Sequence, residues 1–136
     1  MQPGAEPEKA TVLFVEDDCA MLSLGRIALE ATGYKVVPAA SGQEAVRHYT
    51  TSHADIDFAV VDLVLPDMHG VEVIRKLIAI DRHVRILFAT GLNPEDAREA
   101  LKAGALDVIP KPYSISNLRD RLQRFSPATV VAGADA

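Results

Sequence analysis

Four places in this sequence set groups suited to metal or phosphate chemistry directly after short apolar runs. Glu16, Asp17 and Asp18 follow Val12-Leu13-Phe14-Val15, and Asp62 closes the run that begins at Phe58. Thr90 follows Ile86-Leu87-Phe88-Ala89, and Lys111 stands just past Asp107-Val108-Ile109. Carboxylates brought together from the first two places would resist ionising side by side unless a cation lay between them. A hard divalent ion meets that need, because magnesium takes oxygen ligands and is commonly held by one or two carboxylates together with phosphate oxygens. No His or Cys stands at these strand ends to favour a softer metal. A phosphoryl group arriving on one carboxylate needs its own oxygens neutralised, and a metal, an ammonium and a hydroxyl are the usual means. Asp17, Lys111 and Thr90 can supply them.

Plainer readings stand beside each of these. Asp17 or Asp18 can simply cap the helix that follows, and Asp18 is assigned that role. Thr90 taken alone is an ordinary strand-end residue, and Lys111 taken alone a solvated side chain. Asp62 is harder to explain in this way, since a carboxylate at the end of a buried strand is costly without a partner. His48, His53, His69 and His83 are scattered and read as surface residues; Cys19, Tyr34 and Tyr49 read as packing.

The elements that must position these groups follow from the pattern. Short β-branched apolar runs alternate with helical periodicity, which is the signature of an α/β protein with a parallel sheet. Strands are expected at Thr11 to Val15, Lys35 to Pro38, Phe58 to Asp62, Arg85 to Ala89 and Asp107 to Ile109. The first, third and fourth are almost wholly apolar, as strands covered on both faces are, and should form the sheet's centre. Between them, Ala20, Leu24, Ile27, Ala28 and Ala31 recur at helical spacing ahead of Gly33, a C-terminal stop signal. Ser41 to Glu44 reads as a capping box, with Ala45, Val46 and Tyr49 on the buried side of its helix. A third helix follows Gly70 and packs through Val73, Ile74 and Leu77. Asn93-Pro94, with Glu95 and Asp96 behind, opens a fourth that ends at Gly104. Ser114 opens a fifth, with Leu118, Leu122 and Phe125 on one face. In such doubly wound sheets ligands bind beyond the carboxyl ends of the strands, where every candidate residue falls.

With those positions in place, the chain resembles the response-regulator receiver family. The resemblance rests on Val12-Leu-Phe-Val-Glu-Asp-Asp18, Val60-Val-Asp-Leu-Val-Leu-Pro-Asp-Met-His-Gly70, Ala89-Thr-Gly91, Gly104-Ala-Leu-Asp107 and Lys111-Pro-Tyr113, and it runs from about Ala10 to Phe125. It implies a flavodoxin-like receiver fold, a five-stranded parallel sheet in order 2-1-3-4-5 with helices on both faces. It also implies Asp62 as phosphoacceptor, Thr90 as the switch hydroxyl and Lys111 as the partner of carboxylate and phosphoryl group. Magnesium or manganese would be held by Glu16, Asp17, Asp62 and the backbone carbonyl of Val64, and Gly91 would keep adjoining space open. The Lys111–Pro112 bond is often cis in this family. The donor would be a phosphohistidine on a sensor histidine kinase or histidine phosphotransfer protein, with a downstream protein target still to be identified. Val64 and Leu92, two residues after the acceptor and the threonine, would overlook the path of the hydrolytic water; both are apolar, which implies slow self-dephosphorylation.

The sequence also departs from that family. Many receivers carry Tyr or Phe three residues before the lysine, and here Val108 stands there. Asp107 and Arg121 match one ion pair of receivers that dimerise through the fourth and fifth helices, but Ala97, Lys102, Asn117 and Gln123 do not match the rest. Two rival functions differ in class. A receiver fold that only binds partners has no chemical need for Asp17, Asp62, Thr90 and Lys111 together. A phosphohydrolase acting on small esters usually needs a general acid two residues after its nucleophile, and Val64 is not one.

Length and composition bound the rest. At 136 residues there is room for one domain, expected at residues 10–125, with flexible tails at 1–9 and 126–136, and none for an output domain. Hydrophobic residues at 49% and charged ones at 24% fit a soluble globular protein. A net charge of -5 with no Lys/Arg cluster argues against nucleic acid. One cysteine allows no internal disulfide, and neither a signal peptide nor an apolar span long enough to cross a membrane is present. A cytoplasmic protein is the expectation, and Met1 with separate tails favours a stand-alone one over a piece of a hybrid kinase.

Overall fold

The computed structural model describes residues 10–91 and 93–125. The expected tails at 1–9 and 126–136, and Leu92, lie outside the described residues. The strands are β1 (Thr11–Val15), β2 (Lys35–Ala39), β3 (Phe58–Asp62), β4 (Arg85–Thr90) and β5 (Asp107–Pro110). The helices are α1 (Cys19–Ala31), α2 (Gly42–Ser52), α3 (Gly70–Ile80), α4 (Pro94–Ala103) and α5 (Ile115–Arg124), and a 3-10 turn follows α2 at His53–Asp55. All pairings are parallel, and the order is β2-β1-β3-β4-β5, as expected.

Strand alternation divides the core in two. Leu13 and Val15 of β1, Ala59 and Val61 of β3, and Ile86 and Phe88 of β4 pack against Tyr49 of α2 and Val73, Ile74 and Leu77 of α3. Their neighbours Val12, Phe14, Val60 and Leu87 point the other way, onto Leu29 of α1 and Leu118 and Leu122 of α5. Each such fully buried large side chain contributes on the order of 2 kcal/mol against the cost of ordering the chain. Because β1, β3 and β4 are covered on both faces, they read as unbroken apolar runs, and their polar residues are confined to the ends.

The helix ends use the capping groups visible in the sequence. Asp18 Oδ1 accepts from Met21 N at 3.1 Å, Ser41 Oγ from Glu44 N at 3.1 Å, Asn93 Oδ1 from Glu95 N at 2.9 Å and Ser114 Oγ from Asn117 N at 3.0 Å. The Gly104 φ of 124° gives α4 a left-handed exit that a side chain would strain.

On α1 the expected packing pattern is corrected. Leu24 and Ile27 are 60% and 65% exposed, and the helix turns Gly25 and Leu29 to the sheet instead. Gly25 explains the orientation: a Cβ there would meet Phe14 Cε2 at 2.5 Å, so only glycine lets the helix lie this close to β1. Cys19, expected to pack, is exposed. Tyr34 and Tyr49 are buried as expected. His69 is more than a surface residue, since its Nδ1 accepts from Val71 N at 3.1 Å and caps α3.

Candidate functional site

The carboxyl ends of β1, β3, β4 and β5 lie side by side, and the candidate residues converge there. Glu16, Asp17 and Asp62 each offer a carboxylate oxygen within 4.8 Å of the others. Glu16 and Asp62 are buried, while Asp17 faces solvent. Glu16 is fixed by its own backbone, donating N–H to Ala39 O at 2.9 Å, and its Oε2 accepts from Asp18 N at 3.1 Å. Lys111 reaches in from the end of β5, its N–H bonded to Thr90 O at 2.6 Å. Its Nζ donates to Asp62 Oδ1 at 2.8 Å and lies 3.8 Å from Glu16 Oε1. The Lys111–Pro112 bond is cis.

The electrostatics follow from this crowding. Burial pushes the Glu16 carboxyl above its ordinary range, and neighbouring Asp62 adds to the effect, against the pull of the Asp18 N–H and of Lys111. Burial works to lower the Lys111 pKa, but its hydrogen bond to Asp62 and the charges of Asp62, Glu16 and Asp17 outweigh it and hold the ammonium above the usual lysine value. Tyr113 was not foreseen as part of this environment. Its phenol is pushed up to about 12, first by burial and then by the charges of Glu16 and Asp62.

Thr90 is 2% exposed, and its Oγ1 meets no hydrogen-bond partner among the described residues. A buried hydroxyl left unpaired costs about 1–3 kcal/mol. Beside it, a Cβ built on Gly91 meets none of the described residues within 4 Å, so among them the space at the end of β4 is open. Val64 lies on the loop after β3, 69% exposed and paired with His69 in an isolated bridge.

The donor set of Glu16, Asp17 and Asp62 fits a hard cation, being all carboxylates with neither imidazole nor thiolate among them. One ammonium thus faces two buried carboxylates, and an unpaired hydroxyl stands at the end of the next strand. The fold and the site together define a doubly wound α/β domain that carries a cluster of carboxylates, an ammonium and a buried hydroxyl at its strand ends.

Residues 12–123 match the model of the response regulator receiver domain, and the chain belongs to that family. It is 36% identical over 110 residues, 80% of its length, to sensor kinase CckA of Brucella abortus, of which it spans only 12%. To chemotaxis protein CheY of Thermotoga maritima it is 32% identical, with 85% of this chain matched to 96% of that one. It spans about half of the curated transcriptional regulators TcrX and TrcR that it also matches, at 57% and 46%. Among solved structures, a response regulator of Burkholderia pseudomallei with a phosphorylated aspartic acid, a calcium ion and citrate superposes with a TM-score of 0.77 at 25% identity, covering 93% of this chain and 72% of that one.

Two residues of the site's surroundings escaped the sequence reading. His69 caps a helix although His is not a favoured cap, and the only trace of it is its place one residue before Gly70. Asp67 accepts from Gly42 N at 2.8 Å and Gln43 N at 2.7 Å, partners more than twenty residues earlier in the chain. Asp107 and Arg121 pair within the chain at 2.6 Å, and Arg121 also donates to Val108 O at 3.0 Å. Among the described residues no helix is long and apolar enough to cross a membrane.

Proposed function

We propose that this chain is a phosphorylation switch in which Asp62 takes a phosphoryl group from a phosphohistidine of a sensor histidine kinase or histidine phosphotransfer protein. The observation that carries the reading is the buried Asp62 held at 2.8 Å by Lys111, with the unpaired Thr90 hydroxyl at the end of the next strand. The phosphorylated aspartic acid of the Burkholderia regulator supports it.

In the transfer, an Asp62 carboxylate oxygen attacks phosphorus while the bond to the donor's imidazole nitrogen breaks, and the imidazole keeps the electron pair. Lys111 keeps its proton throughout and passes from the carboxylate to a phosphoryl oxygen. Thr90 donates a hydrogen bond from its hydroxyl, which keeps its proton, to another phosphoryl oxygen and so gains the partner it lacks. Glu16, Asp17, Asp62 and the Val64 carbonyl would hold magnesium or manganese, which would neutralise charge on the phosphoryl oxygens. Water later cleaves the aspartyl phosphate. The apolar, exposed Val64 offers that water no hydrogen bond, so self-dephosphorylation is slow. The chain is thus its own substrate and its own slow hydrolase. Meeting donors of this kind would place its work in the cytoplasm.

Acetyl phosphate and magnesium test the reading directly. One phosphoryl mass should appear on the peptide that contains Asp62; no gain, or a gain on another peptide, would refute it. The metal has its own test. Saturating magnesium should raise the melting temperature by on the order of 5–10 °C, because a ligand at 100 times its Kd contributes about 2.7 kcal/mol to the native state. Asp17→Asn should remove most of that gain. Melting curves that coincide with and without magnesium would count against the site.

The exposed stripe on α1 gives the donor a place to sit. Leu24 and Ile27 stand out from the helix that begins directly after Asp17 and Asp18, so a partner helix laid along them approaches the rim of the site. Ile27→Glu should slow transfer from a protein phosphodonor roughly 10-fold, the loss expected when a central apolar anchor is replaced by a charge. Labelling by acetyl phosphate should be unchanged. Equal slowing with both donors would show that the substitution acts on the site and not on docking.

A further inference from the structure

The loop between β3 and α3 leads from Asp62 to Val64, so its placement fixes where the Val64 carbonyl stands relative to the carboxylates. Two contacts close the base of the loop. Gly70 N donates to Leu63 O at 2.8 Å, and Val64 pairs with His69. Gly70 itself is pressed against the end of β3, where an added Cβ would run into Asp62 O and lie 2.9 Å from Leu63 Cα. These contacts join the loop to itself and to its own strand.

Asp67 ties it to another element. Its Oδ1 accepts from Gly42 N at 2.8 Å and its Oδ2 from Gln43 N at 2.7 Å, the first two N–H groups of α2. Those donors have no partner inside the helix, and a carboxylate there also meets the positive end of the helix dipole. The helix has its own cap in Ser41, whose Oγ takes Glu44 N at 3.1 Å. Asp67 therefore supplies the N-terminal turn with a second acceptor, delivered by a distant loop. The two surfaces fit closely: a Cβ on Gly42 would collide with Met68, the residue next to Asp67.

We infer that Asp67 is a positioning residue, which clamps the 63–69 loop to the start of α2 and thereby holds the Val64 carbonyl in register with Asp62 and Asp17 for a divalent cation. The inference rests on the metal site proposed above. Magnesium demands near-ideal octahedral geometry at short distances, so a loop free to shift costs affinity even when every ligand is still present. Partners behind the direct ligands commonly matter by 10–100-fold in metal affinity.

The test separates this role from simple helix capping. Magnesium binding to metal-stripped protein is measured by titration calorimetry for wild type, Asp67→Ala, Asp67→Asn and Ser41→Ala, and urea unfolding of each is followed in parallel. Asp67→Ala and Ser41→Ala each remove an acceptor from the same helix end, so both should lower the urea midpoint. Only Asp67→Ala should also weaken magnesium, by roughly 10-fold. Asp67→Asn keeps one acceptor oxygen and should fall between it and wild type, which covers the case in which the alanine variant folds poorly. Unchanged affinity in both Asp67 variants, or an equal loss in Ser41→Ala, would overturn the inference and leave Asp67 a helix cap, with the metal site intact. A wild type that binds no magnesium would overturn the metal site and this inference together.

Discussion

Asp62→Ala is expected to take up no phosphoryl group from acetyl phosphate and magnesium under conditions in which the wild type takes up one. The loss should be complete, because neither neighbouring carboxylate can act in its place. Glu16 is buried, its carboxyl is pushed above the ordinary range by that burial and by Asp62, and one of its oxygens is committed to Asp18 N. Asp17 faces solvent at the entrance to α1, with Asp18 next to it as the cap of that helix. Among the described residues the Lys111 ammonium donates its hydrogen bond to Asp62, leaving Glu16 at 3.8 Å. A nucleophile needs the ammonium on its own phosphoryl oxygens, and a displacement of even 1 Å from the productive position can cost 100-fold in rate. Intact-mass measurement of the variant beside the wild type decides the matter. A phosphoryl mass that persists in Asp62→Ala would mean that another residue is the acceptor.

How much of this could be read from the sequence depends on distance along the chain. The strands were legible because burial on both faces forces unbroken apolar runs, as in Val12 to Val15 and Phe58 to Val61, and the residue after such a run must stand at a strand end. That placed Glu16, Asp62, Thr90 and Lys111 in one cleft once the sheet was taken as parallel. The caps Asp18, Ser41, Asn93 and Ser114 were legible for a similar reason, since each acts within three residues of itself. The rotation of α1 was not. Ala20, Leu24, Ile27 and Ala31 form as regular a stripe as the buried one, and what decides between the two faces is the fit of Gly25 against Phe14, a contact across eleven positions. Asp67 escaped for the same reason, its partners being brought to it only by the finished fold. The unpaired hydroxyl of Thr90 is likewise a property of the packed strand and leaves no mark in its residue type.

Lys111→Met should destabilise the metal-free protein by roughly 2 kcal/mol at neutral pH, and lowering the pH or adding magnesium should restore most of the loss. Methionine keeps the length of the aliphatic stem and removes only the charge, so packing is spared. The side chains of Asp62 and Glu16 are 7% and 4% exposed, and the ammonium that faces both of them is lost. Breaking a fully buried pair costs about 3–5 kcal/mol; the smaller figure here reflects a Lys111 side chain that is 33% exposed and partly screened by water. The sign of the pH effect follows from the two shifts. The folded-state pKa of Lys111 is raised, so its contribution in the wild type is fully present below the ordinary lysine value and is lost only as pH rises through the folded one, far above neutrality. The Glu16 carboxyl is also raised, by burial first and then by Asp62, above the 4.5 of the free group. Without the ammonium this shift grows, the folded state holds a proton that the unfolded chain releases, and stability returns as pH falls below neutral toward the raised Glu16 value. Magnesium bound among Glu16, Asp17 and Asp62 would replace the missing positive charge at constant pH. Urea midpoints of wild type and variant, at neutral and mildly acidic pH, with chelator and with magnesium, give the comparison. If Lys111→Met matches the wild type at neutral pH in chelator, the lysine does not stabilise the buried carboxylates, and Asp62 is not held ready by Lys111.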